Sequence, residues 1–135
     1  MFPQGYEEID HIADLALHVW GDSFYSLLDH SAQGMYNLLG IIENHTNPVE
    51  WMFKIEQSSR ECMLVDFLSE VLFLCEDKKF VFSEFQYFPL DGYLKVNETG
   101  FQMSGMKRMI KAVTFHDLEI KETKYGLETI ITFDV

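Results

Sequence analysis

Leu15-Ala-Leu-His-Val-Trp20-Gly21-Asp22-Ser23-Phe24 decides the class of fold, because the hydrophobic spacing changes within it. Leu15, Leu17 and Val19 alternate with Ala16, His18 and Trp20, the period of two that a strand with one buried face requires. After Gly21, Asp22 or Ser23 can cap a helix whose apolar positions Phe24, Leu27, Leu28, Met35, Leu38 and Leu39 fall at helical spacing, and Gly40 suits its C-terminal stop. A strand that runs directly into an amphipathic helix predicts a domain that uses both element types around one core.

Upstream, Tyr6–Asp10 can form a short strand, and His11-Ile12-Ala13-Asp14 connects it to the next. Downstream, Asn44, Asn47 and Pro48 favour turns between Ile41 and Glu50, and Trp51, Phe53 and Ile55 alternate with Met52, Lys54 and Glu56 as a third strand. Ser58-Ser59-Arg60-Glu61 matches a capping box, in which a hydroxyl meets an orphan backbone N–H and Glu61 reaches back. A second helix carrying Leu64, Phe67, Leu68, Val71, Leu72 and Cys75 follows. From Lys79 onward β-prone runs dominate: 80–88, 93–99, 101–104, 110–116, 118–121 and 127–135. Turns are predicted at Pro89-Leu90-Asp91-Gly92, Thr99-Gly100, Gly105 and Tyr125-Gly126. The expectation is an α+β fold, a single compact domain of mixed or antiparallel sheets with two main helices.

A chain of 135 residues, 47% of them hydrophobic, suits one domain that buries roughly two-thirds of its unfolded surface. No apolar run approaches the ~20 residues of a membrane span, and Met-Phe-Pro-Gln-Gly-Tyr-Glu-Glu lacks the basic flank and apolar stretch of a signal peptide, so a cytoplasmic protein is expected. With 22 acidic against 10 basic residues the formal net charge is −12, which opposes a protein that grips phosphate alone. Metal cations or a basic protein surface are the charged partners to expect. Cys62 and Cys75 read as core residues, without the tight Cys or His pairs of structural zinc. Met103, Met106 and Met109 read as gap-filling residues, and no phosphate-binding Gly loop or nucleophile elbow is present in the sequence.

Three local features can carry chemistry. In His11-Ile12-Ala13-Asp14 an imidazole and a carboxylate share a connection, where Asp ordinarily caps or turns the chain. In Lys111-Ala-Val-Thr-Phe-His-Asp117, Lys111, Val113 and Phe115 would share one strand face, and Ala112, Thr114 and His116 the other. A Lys there ordinarily protects a sheet edge. The ending Phe133-Asp134-Val135 would place a side-chain carboxylate next to a main-chain carboxylate if Val135 is the native terminus, and clustered carboxylates suit hard cations.

Taken in order, Tyr6-Glu-Glu-Ile-Asp-His-Ile-Ala-Asp14, Gly34-Met35-Tyr36, Leu64-Val-Asp-Phe-Leu-Ser-Glu-Val-Leu-Phe73, Ile110-Lys-Ala-Val-Thr-Phe-His116 and Phe133-Asp-Val resemble the archease family across the whole chain. The resemblance implies a single domain over residues 1–135 with an inserted subregion, roughly 41–105, part of which is similar to a redox chaperone. It also implies an accessory protein rather than an enzyme, one that promotes guanylylation and multiple turnover of a GTP-dependent RNA-splicing ligase in tRNA splicing or RNA repair. RNA would be met only through that ligase. Asp14 matches the Asp of the family's His-Thr-Ala-Asp motif, Asp134 and Val135 match its acidic terminal dipeptide, and together they would hold Ca²⁺, Mg²⁺ or a similar divalent cation. Lys111 matches the Lys of Lys-Ala-Val-Thr-Tyr and would act in ligase activation, with His11, Thr114 and His116 in support. Ile12 and Phe115 stand where the family carries Thr and Tyr, so a hydroxyl is missing at each. The alternatives are a general chaperone-like protein-binding module and a free-standing metal-dependent hydrolase.

Overall fold

The strand ends at Gly21, where the period changes, and the first helix begins at Phe24. In the computed structural model, which describes residues 5–10, 14–43 and 47–135, the elements in chain order are β1 (Tyr6–Asp10), β2 (Leu15–Gly21), α1 (Phe24–Leu39), β3 (Ile41–Glu43), β4 (Val49–Glu56), α2 (Arg60–Lys78), β5 (Phe80–Leu90), β6 (Tyr93–Met106), β7 (Ala112–Val113), β8 (Lys121–Thr123) and β9 (Gly126–Asp134). Ser23 caps α1: its Oγ accepts from Ser26 N at 3.1 Å, and Ser23 N donates to Ser26 Oγ at 3.0 Å, so two orphan donors are satisfied reciprocally. Gly40, at φ 63°, ends the helix by donating to the carbonyls of Tyr36 and Asn37.

All strand pairs are antiparallel and fall into two sheets. One is ordered β1-β2-β9-β7, with β8 also on β9; the other is ordered β3-β6-β4, with β5 also on β6. The second sheet and α2 take all their residues from 41–106. One hydrophobic cluster joins the layers: Leu17 and Val19 of β2, Ile131 and Phe133 of β9, Leu27, Leu28 and Met35 of α1, Leu64, Phe67 and Val71 of α2, and Ile55, Val81 and Val96 of the second sheet. Burying each such side chain contributes roughly 1.5–3 kcal/mol before the ordering entropy is subtracted.

Several expectations are corrected. Ser59 rather than Ser58 caps α2, accepting from Cys62 N at 3.1 Å, and Glu61 accepts instead from Ile120 N at 2.9 Å. A three-residue strand, β3, occupies Ile41–Glu43, which the turn-rich composition had hidden. The runs 93–99 and 101–104 form one strand, β6, and neither Gly100 nor Gly105 makes a turn. Gly100 is there for close approach: a Cβ would lie 1.9 Å from the Val81 carbonyl oxygen and 2.6 Å from Phe82 Cα, where the β5 register shifts between Phe82 and Glu84. Because the opposing atoms are backbone, Gly100→Ala is expected to lower stability by about 2 kcal/mol in urea unfolding, whereas an added methyl at Gly92, which meets nothing within 4 Å, costs only its φ of 76°.

The runs 110–116 and 118–121 yield only β7 and the short β8. Leu118 N donates to the Phe115 carbonyl at 3.0 Å and Asp117 takes φ 50°, so a turn interrupts the pattern. Lys111 and Phe115 are consequently exposed although Val113, at the same parity, is buried. Cys75 is a core residue; Cys62, in the first turn of α2, faces solvent. Met103 fills a gap in the core, but Met109 is 71% exposed.

Candidate functional site

β9 is the central strand that gathers the predicted residues. Leu15 of β2 pairs with Phe133 of β9, so one step past that last registered pair Asp14 comes beside Asp134. On the other edge of β9, Ala112 pairs with Asp134, and Lys111 N donates to the Asp134 carbonyl at 2.7 Å. By strand parity Asp14 and Asp134 lie on the outer face, since Leu17, Val19, Ile131 and Phe133 take the inner one. Directly opposed residues have Cβ atoms about 4.5–5.5 Å apart, close enough for two carboxylates to share one cation. Asp14 is half-buried, and Lys111, Asp134 and Val135 are exposed.

Thr114 holds this end of the sheet together. Its N–H and its Oγ1 both donate to the Thr132 carbonyl, at 3.1 and 3.0 Å. His116 N in turn donates to Thr114 Oγ1 at 3.3 Å, while the His116 ring meets Asp117 at 3.3 Å in an exposed pair. Thr114 thus ties the end of β7 to β9, and the His116 ring is paired at the surface. His11 and Ile12 lie outside the described residues. Phe115 is 54% exposed, so a hydroxyl on its ring would have pointed to the surface rather than into the core.

Hard cations take six or more oxygen ligands, and the tip offers the carboxylates of Asp14 and Asp134 together with the backbone carbonyl oxygen of Val135. Among the described residues no three His, Cys, Asp or Glu side chains converge as a metal site. The donor chemistry fits a hard divalent cation, and the donor number fits an open site with positions left for water or phosphate oxygens.

His18 of β2 is bracketed by carboxylates across the sheet: Nδ1 lies 3.2 Å from Glu7 Oε1 and Nε2 lies 3.0 Å from Glu128 Oε2. Neither glutamate is near it in sequence, so only the strand pairing reveals the arrangement. The Cys75 thiol is pushed up to about 12 by burial and by the neighbouring Glu76 carboxylate, which removes it as a nucleophile.

Residues 6–135 match the Archease protein family, and the chain belongs to that family. It is similar to the archease of Methanosarcina mazei, 27% identical over 96% of this chain and 95% of the relative, and to that of Danio rerio, 28% identical over 96% and 85%. The fold matches the solution structure of Methanobacterium thermoautotrophicum protein 1598, with a TM-score of 0.75 at 22% identity over 98% of this chain and 99% of that one. It also matches the crystal structure of a Thermotoga maritima protein described as an archease and possible chaperone, with a TM-score of 0.68 at 24% identity over 96% of each. Among the described residues no helix is long and apolar enough to cross a membrane.

Proposed function

We propose that this chain is a cytoplasmic activator of a GTP-dependent RNA-splicing ligase, acting in tRNA splicing or RNA repair, and that its working part is the tip where β2, β7 and β9 meet. The observation that carries the reading is the convergence of Asp14, Asp134 and Lys111 from three separate stretches of sequence onto one end of one sheet. Those residues are the ones the archease motifs share. The oxygens of Asp14, Asp134 and Val135 would hold Ca²⁺ or Mg²⁺, which when bound supplies positive charge to nucleotide phosphates.

The chain's own residues then do the positioning. The Lys111 backbone is tied to the Asp134 carbonyl, so its side chain starts beside the carboxylates and can reach out as the tip enters the ligase site. Lys111 would meet a nucleotide phosphate or a ligase carboxylate. The covalent nucleotide forms on the ligase, not here.

Ligase guanylylation and multiple turnover are expected to rise when the chain is added. The ratio of rates with and without it is expected to return to one on chelation and to recover when Mg²⁺ or Ca²⁺ is restored. A ratio of one at every cation concentration would sink the proposal. The second reading, a chaperone-like protein-binding module, is favoured by Phe88, Leu90 and Tyr93, exposed around the Asp91-Gly92 turn. Suppressed aggregation of unrelated proteins without ligase stimulation would select it.

A further inference from the structure

Charge is unevenly spread along this acidic chain. From Thr99 to His116 there is no Asp or Glu, although the whole sequence has 22, and three of its 10 Lys and Arg residues, Lys107, Arg108 and Lys111, fall within that stretch. All three are exposed, and among the described residues none forms an ion pair. Met109, 71% exposed, and Phe115, 54% exposed, lie on the same segment.

The fold fixes this segment beside the tip. α1 descends along β2 toward Asp14: His30 Nδ1 meets the Trp20 carbonyl at 2.6 Å, and Gly34, one turn later, packs on Leu17. The C-terminus of α1 therefore lies at the Asp14 end of the sheet. There Lys107 N and Arg108 N donate to the Leu39 carbonyl at 2.9 and 3.1 Å, and Ile110 is fully buried. Lys111 is then tied to Asp134, and four residues span at most about 14 Å of backbone, so Lys107 and Arg108 sit on the same short segment that reaches the tip.

We infer that this strip, Lys107, Arg108 and Lys111 with Met109 and Phe115, is an RNA-facing surface that holds the sugar-phosphate backbone and a terminal base of the RNA strand being sealed. The inference rests on the ligase-activator reading. Cations interleaved with an exposed ring suit a single strand, whose phosphates take the charge and whose bases stack without sequence preference. An acidic patch on a partner protein is the other occupant such a strip suits, and RNA-free guanylylation separates the two. The net charge of −12 keeps the free chain from binding RNA tightly, so the contact forms only once the ligase has brought the strand to the tip.

The test uses the intact chain and ligase with Lys107→Gln/Arg108→Gln, which keeps the Cβ, Cγ and Cδ atoms of residue 107 over Gly40 and leaves Asp14, Lys111 and Asp134 in place. The variant is expected to stimulate RNA-free guanylylation as the parent does, while the KM for RNA ends rises roughly tenfold. The slope of log kcat/KM against log salt is expected to fall by about 1.4, the counterion release of two phosphate contacts on a single strand. Lys107→Arg/Arg108→Lys is expected to restore both, and Phe115→Ala to raise KM without changing the salt slope. An unchanged melting temperature would separate this role from cations that merely complement the α1 C-terminus. An equal loss of RNA-free guanylylation would assign the strip to the ligase's protein surface and overturn the inference, as would an unchanged KM and salt slope. If the parent chain fails to stimulate guanylylation at all, the activator reading itself falls, and this inference with it.

Discussion

Asp14→Ala and Asp134→Ala are each expected to abolish ligase stimulation while leaving the fold at least as stable as before. Continuing the β2 and β9 register sets the two carboxylates directly opposite one another, and like charges in that position are destabilising. Removing either one relieves the repulsion and is expected to raise stability by a few tenths of a kcal/mol. Residues kept only for packing or capping give the opposite sign, because their loss costs stability. The combination of lost stimulation and an equal or higher melting temperature is the signature of a pair held apart for a ligand. Normal stimulation by both variants would refute the tip as the working part.

The second large effect concerns Glu98, in the middle of β6. Its side chain is 2% exposed on the inner face, between Trp51 and Phe85 in the register, and neither carboxyl oxygen has a hydrogen-bond partner among the described residues. Burial, reinforced by the like charge of Glu70, pushes its carboxyl up to about 8 from an ordinary value of 4.5. The folded state thus holds a proton that the unfolded state has released across this interval. Stability from this group is intact below about pH 4.5, falls as pH rises, and reaches its floor above pH 8. The full swing is about 5 kcal/mol, each pKa unit being worth about 1.4 kcal/mol.

Glu98→Gln removes the titration and keeps the shape. The difference in unfolding free energy between this variant and the parent is expected to shift in the variant's favour by about that amount between pH 4 and pH 8.5. Parallel stability profiles for the two proteins over that range would refute the buried neutral acid. The Tyr36 and Tyr87 hydroxyls, whose own pKa values burial raises, remain protonated throughout and do not contribute to the swing.

Local chemistry explains which parts of the fold were legible. The Ser23 cap, the Gly40 stop and the two helices follow from short-range spacing and hydrogen bonding, which sequence displays directly. Gly100 misled because close backbone approach and turn formation both select glycine, and only the β5 neighbour distinguishes them. The stretch 110–121 misled because β-prone residues alternate there while Asp117, in a left-handed conformation, breaks the strand. For the site, Asp14, Lys111 and Asp134 were reached through a family pattern, and their adjacency rests on pairings that join the two ends of the chain. His18 with Glu7 and Glu128 had no such pattern and stayed invisible. Glu98 looks like any polar strand residue until the sheet turns it inward.

The central place of β9 also sets an order of assembly. Residues 41–106 include every strand of the second sheet and α2, so the strand pairings of that half are complete in the chain before β9 has been synthesised. The first sheet cannot close, because β2 must wait for a partner whose Phe133 pairs with Leu15. That long loop closure makes it the slower half. A chain cut short before β9 keeps much of its core-forming sequence, yet leaves β2 as a bare edge and brings no second carboxylate to Asp14. Competence for the tip is thereby reserved for molecules whose synthesis has run through residue 134.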